Sequence, residues 1–167
     1  MDESPIQAEW QRWLDDHAPR FLLFARQKAR CEADAQDLVQ EAVMEASQRT
    51  VKGVPPPVAM VYATIQRRAI DWARAEDRRV GREGAINQQA PQAWFDTGVE
   101  DRERANLIQQ ALSRLPEIYR EVVTLKIWGE LTFAEIADSL HIPANTAASR
   151  YRYGLEQLRG LTREVMK

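Results

Sequence analysis

Apolar residues recur at helical spacing along almost the whole chain. Trp10, Trp13, Leu14, Phe21, Phe24 and Ala25 set the first such pattern, and Pro19 stands where a proline opens the first turn of a second helix. A further helix is expected from about Glu32 to Gln48, with Leu38, Val39, Ala42, Val43 and Ala46 facing inward. Thr50 to Pro57 holds Gly53 and three consecutive prolines, which stop that helix and form a stiff loop. From about Val58 to Arg78 a long helix buries Val58, Val61, Tyr62, Ile65, Ala69 and Trp72. Gly81 to about Thr97 has no period, and its Gly81, Gly84, Asn87, Gln-Gln pair and Pro91 read as a linker. Trp94 and Phe95 are odd within a free tether and suit docking on a surface. Four more helical patterns follow: Ala105 to Leu115, Pro116 to Trp128, Thr132 to Leu140, and Asn145 to about Thr162. No strand pattern and no repeat occurs. The expected fold is all-α, with small helical domains at 1–80 and 105–167 joined by a flexible linker at 81–104.

The C-terminal pattern contains a tight corner. Thr132 and Glu135 stand at capping-box spacing, and Ile136, Ala137 and Leu140 supply the buried side of a short helix. His141-Ile142-Pro143 makes the turn, with His141 where a left-handed residue is wanted. Asn145 or Thr146 is expected to cap the next helix, whose inward positions are Ala147, Tyr151, Leu155 and Leu158. Thr146, Ala148, Ser149, Arg152 and Tyr153 then face outward. This is a helix-turn-helix pattern whose second helix offers its first turns to a DNA major groove. A solvated helix face is the plain alternative.

The formal net charge of -2 does not mark a basic nucleic-acid binder, but the charge is segregated. Arg150, Arg152, Arg159 and Arg163 face Glu156 alone across Thr146 to Arg163. Arg67, Arg68, Arg74, Arg78 and Arg79 outnumber Asp71, Glu76 and Asp77. Acidic residues collect around Asp34 to Glu45 and Glu100 to Glu103. The acidic, polar N-terminus does not read as a secretory signal, and Phe21 to Phe24 is too short to span a bilayer, so a soluble cytosolic chain is expected. A single cysteine, Cys31, excludes an internal disulfide and a multi-cysteine zinc site.

Asp37, Gln40, Glu41 and Met44 fall at i, i+3, i+4 and i+7, forming one stripe opposite the core side. A solvated face, a carboxylate metal site and a protein-docking face compete for it. The metal reading lacks a Glu-x-x-His partner. Arg67, Asp71, Arg74 and Arg78 share another face, flanked by Arg68 and Arg79, with Trp72 on the apolar side. Such stripes suit unpaired DNA, since Arg holds phosphates and rings accept bases. An Arg67–Asp71 pair on a salt-bridged surface is the alternative.

Two sets of segments carry a family resemblance. Ala111-Leu-Ser-Arg-Leu-Pro, Tyr119-Arg-Glu-Val-Val-Thr-Leu, Leu131-Thr-Phe-Ala-Glu-Ile-Ala and Ile142-Pro-Ala-Asn-Thr-Ala-Ala-Ser-Arg-Tyr resemble region 4 of bacterial sigma factors. Asp34-Ala-Gln-Asp-Leu-Val-Gln-Glu resembles region 2.2, and Gln66-Arg-Arg-Ala-Ile-Asp-Trp-Ala-Arg resembles regions 2.3 and 2.4. Region 2, a short linker and region 4, without further domains, are similar to the extracytoplasmic-function type. The resemblance implies a transcription initiation factor without catalytic residues, cofactor or metal. Its partners would be core RNA polymerase, through the beta-prime coiled coil and beta flap, promoter DNA and, in regulation, an anti-sigma factor, with no membrane insertion. Carried over by position, Asp34, Asp37, Gln40, Glu41 and Met44 would dock on polymerase. Arg67, Arg68, Asp71, Trp72, Arg74, Arg78 and Arg79 would engage the -10 element. Thr132, Asn145, Thr146, Ala148, Ser149, Arg150, Arg152 and Tyr153 would serve the -35 element, with Thr132 and Arg150 steadying phosphates or the fold. The chain departs from the family where Ala148 and Tyr153 replace basic residues, where Arg67 replaces Asn and Arg68 a hydrophobe, and in its Pro-Pro-Pro loop. A sigma mimic that binds polymerase or an anti-sigma factor without initiating transcription is the alternative. A helix-turn-helix repressor leaves Asp34 to Glu41 unexplained, and an enzyme has little to use, since His17 and His141 are far apart and Cys31 lacks an activating partner.

Overall fold

The computed structural model describes residues 4–83 and 92–165. The chain forms two compact units, Met1–Gln92 and Ala93–Lys167. Every regular element among the described residues is helical.

The first unit holds α1 (Pro5–Lys28), α2 (Glu32–Gln48) and α3 (Val58–Glu83), each packed against the other two. Phe21, Phe24, Leu38, Val61, Tyr62 and Ile65 are fully buried. The Tyr62 ring meets Phe21 and Phe24 edge-on, with centroids 5.0 and 5.7 Å away, a favoured aromatic geometry.

Pro19 does not begin a second helix. α1 runs unbroken through it, although an interior proline removes a backbone bond and costs about 3 kcal/mol. Side-chain packing carries the helix across: Trp13, His17 and Phe21 stack along one face at 5.4 to 6.0 Å, bracketing the proline. Gly53, at φ +86°, takes the left-handed turn of the loop after α2, and Pro56 is buried beneath that loop.

The second unit holds a short 3-10 turn (Val99–Asp101), α4 (Arg102–Arg114), α5 (Glu117–Ile127), α6 (Phe133–Leu140) and α7 (Ala144–Val165). α7 packs against α4, α5 and α6, around a core of Leu112, Leu115 and Val123. At Gly154 an added Cβ would lie 2.8 Å from Val123 Cγ2, so α7 and α5 approach closely there.

Both ends of the segment read as a linker carry structure. α3 continues through Gly81 to Glu83, five residues beyond the expected Arg78, and α4 begins at Arg102 rather than Ala105. Trp94 and Phe95 pack on the second unit's core. The remainder, with Gly84, Asn87 and Pro91, lies outside the described residues.

Candidate nucleic-acid and protein-docking interfaces

On α2 the inward side is Ala35, Leu38, Val39, Ala42 and Ala46. That choice of side leaves Asp37, Gln40 and Met44 exposed and Glu41 half-exposed. Met44 stands 56% exposed among these polar groups. Asp34 lies at one end of the helix, where it lines a groove of about 470 Å³ with Leu38, Ala69, Trp72 and Arg79. Trp72 is therefore half-buried in that groove, on the opposite side of α3 from the exposed arginines.

Along α3, Arg67, Asp71, Arg74 and Arg78 are all exposed, as their spacing requires. Arg74 and Arg78 make no ion pair among the described residues. Arg79 is engaged by Glu76 at 2.6 Å, and Arg30 reaches the same carboxylate at 2.6 Å. The hydrogen bond from Arg79, with the charge of Arg30, holds the Glu76 carboxyl below the usual glutamate range.

Arg67 pairs with Glu45 of α2 rather than with Asp71. Arg68 donates from Nε to Glu45 at 2.9 Å and from Nη1 to Glu41 at 2.9 Å. Arg49 reaches Glu45 at 3.1 Å from the end of α2. Partial burial works to raise the Glu45 carboxyl, but the Arg68 and Arg67 hydrogen bonds outweigh it and hold the group below its ordinary value. Glu45 does not stand out in the sequence, because Arg67 and Arg68 lie on a different helix. The same holds for buried Arg26, whose Nε and Nη2 make a two-pronged contact with Glu32 at 2.8 and 2.7 Å. That contact, foremost, lowers the Glu32 carboxyl.

In the second unit the capping box forms: the Glu135 amide donates to Thr132 Oγ1 at 3.1 Å, and the Thr132 amide to Glu135 Oε1 at 3.0 Å. Thr132 thus holds the start of α6. His141 adopts φ 56°, ψ 47° and turns the chain into α7. Neither Asn145 nor Thr146 caps α7. The helix starts at Ala144, and the Ala147 amide donates to the Pro143 carbonyl at 3.0 Å, because proline's fixed φ suits that helix entry. Lys126 over Phe133, 4.5 Å away, ties α5 to α6, and Phe133 against Tyr151, 5.6 Å away, ties α6 to α7.

The outward residues of α7 fall on two adjoining strips. Asn145, Ala148 and Arg152 form one. Thr146, Ser149, Arg150 and Tyr153 form the other, where with Asn145 they line a shallow hollow of about 320 Å³ against Ile118 and Tyr119 of α5. Arg152 lies over the Tyr153 ring at 5.5 Å, which joins the strips. Ile118, 45% exposed at the edge of this surface, is absent from the sequence reading. Its helical period shows it outside the core, but only the fold sets it beside α7. Trp94 and Phe95 are anchored in the same unit: the Trp94 amide donates to Gln109 Oε1 at 2.8 Å, the Arg120 guanidinium lies 5.7 Å from the Trp94 ring, and Phe95 packs on Trp128 at 5.6 Å.

No described helix is long and apolar enough to cross a membrane.

Comparison with known proteins finds a family match for each of the two units. Residues 13–79 match the family Sigma-70 region 2, and residues 105–158 match Sigma-70, region 4. The chain is 28% identical over 155 residues to the RNA polymerase sigma factor SigV of Bacillus subtilis, covering 90% of each chain. Over 70 residues, 42% of this chain and 37% of the other, it is 39% identical to the ECF RNA polymerase sigma factor SigW of the same organism. The fold is shared with the sigma factor RpoE of Bartonella quintana, solved in complex with the anti-sigma factor NepR, at a TM-score of 0.67 and 19% identity over 92% of this chain and 96% of that one. With both regions matched in order and nine-tenths of its length aligned to one relative, the chain belongs to the sigma-70 family of transcription initiation factors, in its extracytoplasmic-function group.

Proposed function

We propose a division of labour among three surfaces. The α2 stripe of Asp37, Gln40, Glu41 and Met44 docks on core RNA polymerase. The α3 face of Arg67, Asp71, Arg74 and Arg78 holds the -10 element as its strands part. The first turns of α7, with Arg152 and Tyr153 foremost, read the -35 element. The observation that carries this reading is the exposure of two stripes of different chemistry on neighbouring helices of one unit: carboxylates around a methionine on α2, and guanidinium groups on α3.

The chemistry follows from differential binding. Arginines attract phosphates in either state of the DNA, so they do not open it alone. Opening is favoured only where unpaired bases gain contacts that the duplex lacks, because a ligand shifts an equilibrium by its difference in affinity for the two states. No bond is made or broken by this chain, and it acts in the cytoplasm, where polymerase meets the chromosome.

Run-off transcription with purified core polymerase tests the reading: specific transcripts are expected, and their absence on every promoter would identify a decoy instead. In a parallel pull-down, Asp37→Ala with Glu41→Ala is expected to weaken core binding at least tenfold, about 1.4 kcal/mol, with helicity retained. Undiminished binding would remove α2 from the docking role.

A further inference from the structure

Ile118 is left unused by the surface assignments above. It belongs to the first turn of α5, not to α7. Yet it stands 45% exposed in the hollow that also holds Tyr153, itself 51% exposed. Gly154 accounts for this placement. A Cβ there would lie 3.3 Å from Tyr119 Cβ and 3.5 Å from the Tyr119 carbonyl oxygen. The missing side chain lets the first turn of α5 close on α7, and Ile118, next to Tyr119, comes to the rim of the reading surface.

The walls of the hollow divide by chemistry. Asn145, Thr146, Ser149 and Arg150 of α7 carry hydrogen-bonding groups, whereas Ile118 offers only hydrocarbon and Tyr153 a ring tipped by one hydroxyl. The Arg152 guanidinium, 5.5 Å from the Tyr153 ring centroid, restrains that ring. A phosphate is a poor neighbour for the apolar corner, because hydrocarbon pressed against it removes water without supplying a donor. The major-groove edge of a base pair matches the mixture better. It presents donors and acceptors together with one apolar group, the C5 methyl of thymine.

We propose that Ile118 and Tyr153 form an apolar clamp on the C5 methyl of one thymine in the -35 element, so that α5 shares in the reading done by α7. Ile118 is then a specificity-determining residue outside the helix-turn-helix of α6 and α7. The clamp is continuous with the outward strip of α7, and the inference rests on the reading of that strip as the -35 surface.

The test begins with holoenzyme, reconstituted with core polymerase, selecting promoters from a pool randomised across the -35 element. Wild type is expected to enrich thymine at one position, and Ile118→Ser to lose that preference while keeping the others. In the selected duplex each thymine is then replaced by deoxyuridine, which lacks only the methyl group. Wild type should lose about fourfold in affinity at the enriched position, the share of one buried carbon. Ile118→Ser should lose a similar factor on thymine DNA and be indifferent to the replacement. Ile118→Val, which keeps a branched hydrocarbon, should retain most of the discrimination. Tyr153→Lys should bind all sequences more tightly, with a salt slope steeper by about 0.9, the share of one duplex phosphate contact, and should discriminate less between the two bases. An Ile118 that merely supported the fold would show the opposite pattern: Ile118→Ser would weaken binding evenly and keep its sensitivity to deoxyuridine. That result, or deoxyuridine tolerated by the wild type at every thymine, would overturn the clamp alone. A wild-type holoenzyme with no base preference anywhere in the -35 element would overturn the reading of α7 with it.

Discussion

Gly154 and Gly160 both lie on α7 and face opposite demands. A Cβ at Gly154 would meet Val123 Cγ2 at 2.8 Å and Tyr119 Cβ at 3.3 Å, whereas one at Gly160 meets nothing within 4 Å. Replacing glycine by alanine within a helix gains about 1 kcal/mol, and overpacking costs about 1–3 kcal/mol. Gly160→Ala should therefore raise the melting temperature of the second unit and Gly154→Ala should lower it, as thermal denaturation will show. The sequence contained part of this information. Ala147, Tyr151 and Leu158 mark the inward side of α7, and Gly154 falls on their line. It escapes a hydrophobic count because it has no side chain to count. His141 and the Thr132–Glu135 box were readable for the contrary reason: their chemistry is local, complete within four residues, and forms as expected.

At the scale of elements, period and composition located the helices but not all of their ends. Pro19 is a strong local signal for a helix start, yet the ring stack of Trp13, His17 and Phe21 overrides it. Ion pairs between helices were not readable, since only the fold decides which helix faces meet. They have a consequence for acid stability. Glu32, Glu45 and Glu76, all in the first unit, have carboxyls held below the ordinary value of 4.5 by arginine partners. A depressed folded-state value means that the unfolded chain binds more protons as pH falls below about 4.5, so the stabilisation present above that pH is lost through the folded-state values. Hydrogen exchange across α1 to α3 should accordingly quicken between pH 5 and pH 3 relative to chemical rates. Glu32→Gln with Glu45→Gln should flatten that dependence, and a double variant with the same pH response would contradict the assignment.

For the whole molecule, the order of two helical domains was legible because each carries its own periodic pattern and motif. The division between them was less so. Gly81 looked like a linker residue, but one glycine costs a helix only about 1 kcal/mol, and α3 continues past it. Trp94 and Phe95 looked misplaced because the surface that receives them is assembled from Gln109, Arg120 and Trp128. A fragment beginning at Ala93 should thus be more stable in urea than the same fragment with Trp94→Ala and Phe95→Ala, by about 1–3 kcal/mol for two partly buried aromatic rings. Equal midpoints would show that these rings contribute nothing to the fold.

The seating of Trp94 and Phe95 also supplies an optical probe. Two of the chain's five tryptophans lie along this contact, Trp94 beneath a guanidinium and Trp128 against a phenyl ring. Lifting the segment would hydrate both indoles together and shift their emission to the red. Time-resolved fluorescence with the other three tryptophans replaced could therefore follow whether this strap stays seated as the protein enters the transcription complex, without an added dye.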